Sequence, residues 1–141
     1  MWPESMCPDP SLWQVGGVAV ERERIVLHLL PVRNFVPCPS CGANSQRVHS
    51  RYWRRVWDLP WFNWPVQLLI SARRFFCDTA GCLRRIFTGP FPKVLARYGR
   101  RTQRTQHSLL ELARCSNAEV AASVARLLGF IIGPDTLIRL Q

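Results

Sequence analysis

Lysine is almost missing from this chain of 141 residues: Lys93 stands alone, and arginine supplies the other 18 of its 19 cations. Acid is scarce as well, with nine Asp and Glu, and the formal charge is +10. Guanidinium has a planar fork that meets phosphate oxygens and guanine edges with two hydrogen bonds at once. A polyanion is therefore the natural partner, and nucleic acid the commonest one. The plain alternative is a solvated basic surface with no specific partner. Long hydrophobic runs are lacking too. The longest apolar stretch, Val18 to Leu30, is broken by Glu21, Arg22, Glu23 and Arg24, and a membrane span needs about 20 apolar residues. The start, Met1-Trp2-Pro3-Glu4, has no basic leader, so no signal peptide is expected. Six cysteines in a reducing compartment read as metal ligands or free thiols rather than as a disulfide framework. Disorder is opposed by six Trp and seven Phe, which supply strong burial drive.

The charge is unevenly placed. Residues 1–37 carry three Arg and four acids, whereas residues 38–141 carry 16 cations and five acids. This shift coincides with a division into a tail and hairpin (1–37), a cysteine-bearing ribbon (38–92) and a helical segment (93–141). Val15 to Val20 and Ile25 to Val32 read as a hairpin with a charged turn. Gln46 to Asp58 and Val66 to Phe76 read as two strands, with Leu59-Pro60 and Trp64-Pro65 bracketing a turn, and Arg84 to Phe87 as a short third. The ribbon closes at Gly89-Pro90 and Pro92. Thr102 to Cys115 reads as a helix with Leu109, Leu112 and Ala113 inward. Asn117 caps a second, with Val120, Ala121, Val124, Leu127 and Leu128 as its core stripe. Gly129 follows it as a C-terminal stop. Gly133-Pro134-Asp135 opens a third helix. The fold class is α+β.

Cys38, Cys41, Cys77 and Cys82 form C-x2-C-x35-C-x4-C. Two short cysteine loops with a strand pair between them are the layout of a zinc ribbon. Each loop turns two thiolates toward one ion, and Zn²⁺ takes four soft ligands in a tetrahedron. Gly42 and Gly81 supply the backbone freedom such knuckles need. One structural Zn²⁺ is expected, with no open coordination position and so no chemistry of its own. His49, eight residues past Cys41, is a spare ligand. Cys115 reads as a buried small residue of a helix and Cys7 as incidental to a loose tail.

The phrases Arg47-Val48-His49-Ser50, Asp58-Leu59-Pro60, Arg73-Arg74-Phe75-Phe76-Cys77 and Arg84-Arg85-Ile86-Phe87 follow the first cysteine pair in order. Ala96-Arg97-Tyr98 with Arg101-Thr102, then Asp135-Thr136-Leu137, come later. The sequence resembles the N-terminal region of the ISL-three family of bacterial insertion-sequence transposases, from about Val15 onward. That resemblance implies a zinc ribbon, then a helix-turn-helix, which the sequence truncates at Gln141, and a catalytic domain with acidic metal-binding residues that this sequence does not contain. The nine acids form no assignable carboxylate trio, so catalytic residues are none and the chain is not expected to act as an enzyme. Two departures from the family are Trp61-Phe62-Asn63-Trp64, where Gly is usual, and Gly133, where Ser is usual.

In a helix-turn-helix the start of the second helix enters the major groove. Thr136, Arg139 and Gln141 are the outward candidates there. Arg97, Arg100, Arg101 and Arg104 precede or open the first helix, and Arg97, Arg101 and Arg104 share a face if helical, as a phosphate stripe would. The implied partner is double-stranded DNA at element ends, in the bacterial cytoplasm with the nucleoid, without membrane or small-molecule substrate. Two other functions are compatible with the sequence. One is a protein-interaction module, in which the ribbon and the Trp53, Trp57, Trp61 and Trp64 cluster bind an intact transposase or a second copy. The other is a transposase relic without a role. That Trp cluster reads as core more readily than as a base-stacking platform.

Overall fold

The computed structural model describes residues 4–89, 91 and 93–140. The expectations attached to Met1, Trp2 and Pro3, to Pro90 and Pro92, and to Gln141 lie outside the described residues. A short 3-10 turn, Glu4–Met6, precedes β1 (Trp13–Glu21) and β2 (Arg24–Pro31). These pair antiparallel from Trp13↔Pro31 to Glu21↔Arg24. The turn falls on Arg22 and Glu23, both with positive φ (45° and 62°). Two successive left-handed residues match the twist of the flanking strands, as tight hairpins require.

The first cysteine knuckle lies between β3 (Val36–Pro37) and β4 (Asn44–Ser45). Then come the two long strands, β5 (Val48–Trp61) and β6 (Trp64–Phe76), and the short β7 (Ile86–Thr88). β5 and β6 turn at Phe62 and Asn63, again at positive φ (48° and 65°). The strands thus run past Leu59-Pro60 and past Trp64-Pro65, which the sequence suggested as the edges of the turn. A register shift between Asp58 and Trp61 absorbs the proline, which has no N–H to give to a ladder.

One sheet gathers these strands in the order β1-β2-β6-β5, with β7 on the far end of β6. It crosses the 37/38 division, since β2 lies parallel to β6 from Ile25↔Val66 to Leu29↔Ile70. Parallel neighbours need a long crossover, and the first knuckle plus β5 provide it. Leu27, Leu29, Val56, Val66, Leu68 and Ile70 fill one face of the sheet and are buried, with Cys7, Trp13, Val94 and Leu95 packed on them. Cys7 is therefore core rather than incidental. Its thiol points to the Trp13 carbonyl at 3.4 Å, and burial pushes its pKa up. Cys115 departs from expectation the other way and is exposed. Of the four tryptophans named above, Trp53 and Trp64 are exposed and Trp57 and Trp61 half-buried.

Three helices follow. α1 (Gln103–Cys115) is capped by Thr102, whose side chain accepts from the Thr105 N–H. α2 (Ala118–Leu127) is capped by Asn117, which accepts from the Val120 N–H. α3 (Pro134–Ile138) opens on Gly133 without a side-chain cap. Leu109, Ala113, Ala121, Ala122, Ala125 and Leu137 form their shared core. The stripe expected on α2 is mostly turned outward: Ala121 is buried, but Val120, Val124, Leu127 and Leu128 are exposed. Two stripes with helical spacing compete on this element. The alanine one, Ala121 with Ala122 and Ala125, packs against α1 and α3. The helices join the sheet through its β5 edge, where the Trp57 N–H donates to Arg100 O and the Thr102 N–H to Trp57 O, both at 2.9 Å.

Candidate metal centre and nucleic-acid surface

Two loops converge at the β3–β4 end of the molecule. In the first, the Gly42 N–H donates to Cys38 O at 2.8 Å and the Cys38 N–H to Ala43 O at 2.9 Å. In the second, the Cys77 N–H donates to Arg85 O at 2.9 Å and the Cys82 N–H to Thr79 O at 3.2 Å. Gly42 and Gly81 sit at φ 75° and 81°, where an L side chain would be strained. The loops are tied together by Ser45, whose hydroxyl donates to Phe76 O, and by the Phe76 N–H, which donates to Arg47 O. Buried Phe75 and Phe87 form the apolar floor beside Cys38.

The four Sγ atoms of Cys38, Cys41, Cys77 and Cys82 all lie within 4.8 Å of one another. Cys38 and Cys82 are 3.9 Å apart, Cys41 and Cys77 3.6 Å. Sulfurs placed about 2.3 Å from a central Zn²⁺ form a tetrahedron with edges of about 3.8 Å, so the donor set fits the ion. The thiols also resist ionising together without a cation. Cys41 is lowered to about 6, chiefly by the Thr79 hydroxyl and then by the Ala43 backbone. Cys82 is raised to about 11: the Arg84 backbone opposes the rise, and burial and the other three cysteines outweigh it. A dication removes this conflict by holding all four as thiolates. Among the described residues these cysteines are the one group of three or more close metal-ligating side chains. His49 stands outside it, edge-on to Phe76 at 4.9 Å.

This geometry defines a structural four-cysteine zinc ribbon. Residues 35–82 match the family described as the zinc-finger of transposase IS204/IS1001/IS1096/IS1165. The transposase for insertion sequence element IS1001 of Bordetella parapertussis is 33% identical over 121 residues, which cover 78% of this chain and 28% of that protein. Both findings support the resemblance to the N-terminal region of the ISL-three insertion-sequence transposases, and the chain spans 28% of the length of the relative it matches. No solved structure matches it significantly.

The arginines named from the sequence divide into two groups. Arg104 is committed to the fold. With Thr102 it holds Asp58, which is 4% exposed: Arg104 Nε donates to Oδ1 at 2.8 Å, its NH2 group pairs with Oδ2, and the Thr102 hydroxyl donates to Oδ1 at 2.7 Å. Arg101 is half-buried in a bridge to Trp57, and burial lowers its pKa. Arg97 and Arg100 are exposed. α1 begins only at Gln103, so Arg97, Arg101 and Arg104 do not share a helix face. The intervening chain turns at Gly99, whose N–H donates to Ala96 O, because strand-edge pairing with Trp57 holds residues 100–102 extended. On α3, Thr136 is half-buried and Arg139 exposed. The sequence reading missed the Asp58 hub, although the Asp58-Leu59-Pro60 phrase marked the place. It also missed Thr79 and Ser45, whose hydroxyl chemistry beside the knuckles was the available signal.

Proposed function

We propose that this chain is a zinc-dependent DNA-binding module of the transposase kind, meeting duplex DNA at element ends through its arginine surface and α1–α3. The carrying observation is how little of the positive charge is neutralised internally. Among the described residues there are three ion pairs, Arg47–Asp78, Arg104–Asp58 and Arg114–Glu111, against 18 arginines in the chain. In this reading α2 and α3 act as a helix-turn-helix. Thr136 and Arg139 lie near the groove, and Arg97 and Arg100 contact phosphates beside it, with Arg101 and Arg104 contributing mainly by anchoring. The module works in the bacterial cytoplasm, with the nucleoid. It performs no strand cleavage with Mg²⁺ or Mn²⁺, because two-metal chemistry needs clustered carboxylates and the ribbon offers four thiolates instead. Fluorescence anisotropy against duplex DNA at several salt concentrations tests the reading. Five or so phosphate contacts give a log–log slope of about −4 to −5, and a flat salt response overturns it.

A second reading rests on a different observation. The outward face of α2 carries Val120, Val124, Leu127 and Leu128, an apolar patch that suits a protein partner such as an intact transposase or a second copy. It expects little duplex binding and loss of partner capture in Leu127→Ser.

A further inference from the structure

A trough of about 880 Å³ lies beside the ribbon. Three walls form it. The β5–β6 pair gives Arg54, Arg55 and Arg74, the second knuckle gives Arg84, and the segment before α1 gives Arg97 and Arg100. No aspartate or glutamate lines it. Arg54 is braced by a hydrogen bond from its NH2 group to Gly99 O at 2.9 Å. Arg74 lies over the Tyr52 ring at 5.0 Å. Arg55, Arg74, Arg84, Arg97 and Arg100 are exposed.

Six cations around one hollow repel one another, and the Arg54 hydrogen bond and the Arg74 ring contact leave Arg55, Arg84 and Arg100 exposed in it without an acidic partner on its lining. A second oddity stands on the rim. Tyr98 adopts φ 60°, a conformation that an aromatic residue enters only under constraint. The residue is nevertheless 81% exposed, with the Arg97 guanidinium 5.1 Å from its ring centroid. Strained backbone that presents an aromatic face to solvent, beside unopposed arginines, is the pairing used to hold a sugar–phosphate strand: guanidinium for phosphate, ring for base.

We infer that this trough is a strand-binding site, in which Arg54, Arg55, Arg74, Arg84, Arg97 and Arg100 hold the phosphodiester backbone of one DNA strand and Tyr98 stacks on a base where that strand is unpaired. The inference rests on the DNA-binding reading, shares Arg97 and Arg100 with it, and extends the contact surface onto the ribbon and sheet through Arg54, Arg55, Arg74 and Arg84. One strand of a duplex and a free single strand share this chemistry, and the test separates them.

The full zinc-loaded chain is titrated with a duplex and with a single-stranded oligonucleotide of the same length, from about 50 to about 200 mM salt. Arg55→Gln with Arg84→Gln removes two exposed cations from opposite walls. It should flatten the slope by about 2 on duplex and by about 1.4 on single strand. Arg22→Gln with Arg33→Gln, in the oppositely charged N-terminal part, should leave both slopes unchanged. Tyr98→Asn keeps a residue that tolerates positive φ and removes the ring. A loss of about ten-fold on single strand alone identifies an unpaired strand as occupant, while no loss on either overturns the stacking role of Tyr98 and leaves only the backbone contacts to the arginine variants. If the wild type shows its salt slope and the Arg55/Arg84 variant keeps it, the trough proposal is overturned and the DNA reading stands. If the wild type itself shows no salt-dependent binding, both are overturned.

Discussion

Asp58 is the side chain on which sheet and helices meet. It is buried, yet three donors from Thr102 and Arg104 satisfy it. Removing one partner of a buried pair costs about 3–5 kcal/mol. Asp58→Ala should fall at the low end, because the Arg104 side chain is 33% exposed and can reach water. Asp58→Ala with Arg104→Met should recover part of the loss, and urea melts of the two variants give both numbers. Gly129 is a second such position. It sits at φ +95°, and a Cβ there would meet Asn63 O at 2.5 Å and Pro60 Cβ at 3.0 Å. Gly129→Ala should therefore destabilise by more than about 1 kcal/mol, and it should loosen the contact between the β5–β6 tip and the end of α2, seen as faster amide exchange at both. The sequence showed both residues, Asp58 within a recognisable phrase and Gly129 as a helix stop. It did not show their partners, which stand 44 and 46 residues from Asp58 in the chain. Local patterning carries no information at that separation.

Among elements, the hairpins and knuckles were the most legible, because period-two alternation and cysteine spacing are local signals. The β5–β6 turn was misplaced by its prolines, which a bulge accommodates. Its true residues, Phe62 and Asn63, include one poorly suited to the geometry. Phe62 adopts φ 48° while being 95% exposed, so it packs on nothing. Phe62→Asn should stabilise the protein by about 1 kcal/mol, read as a higher thermal midpoint. No gain would show that the ring has contacts beyond this chain. For α2 the period was right and the face was wrong: hydrophobicity ranked valine and leucine above alanine, whereas packing with α1 and α3 selected Ala121, Ala122 and Ala125.

At the scale of the molecule, the metal joins two loops that are separated by the whole β5–β6 hairpin. Chelation of Zn²⁺, or Cys38→Ser, should abolish the cluster around Phe75 and Phe87, because metal binding here is folding free energy. Near-ultraviolet circular dichroism with zinc quantification checks this, and folded zinc-free protein with alkylated Cys38 and Cys77 would contradict it. The pH dependence has a defined sign. All four thiols must be deprotonated to bind; Cys41 is lowered to about 6 and Cys82 raised to about 11. Zinc affinity therefore rises with pH through this range and falls in acid, which titration against a colorimetric chelator between about pH 5 and pH 8 should show. The metal site was almost wholly legible in the sequence. The single sheet spanning residues 13–88 was not, because the parallel pairing of β2 with β6 leaves no mark on the spacing of either strand.

That pairing also sets an order of events during synthesis. The β1–β2 hairpin can close as soon as it leaves the ribosome, yet Leu27 and Leu29 have no partner on the edge away from β1 until Leu68 and Ile70 arrive, about 40 residues later. At about 5–20 residues per second the interval is about 2–8 s. Throughout it, the nascent chain presents an unpaired apolar strand edge, a natural target for a ribosome-bound chaperone.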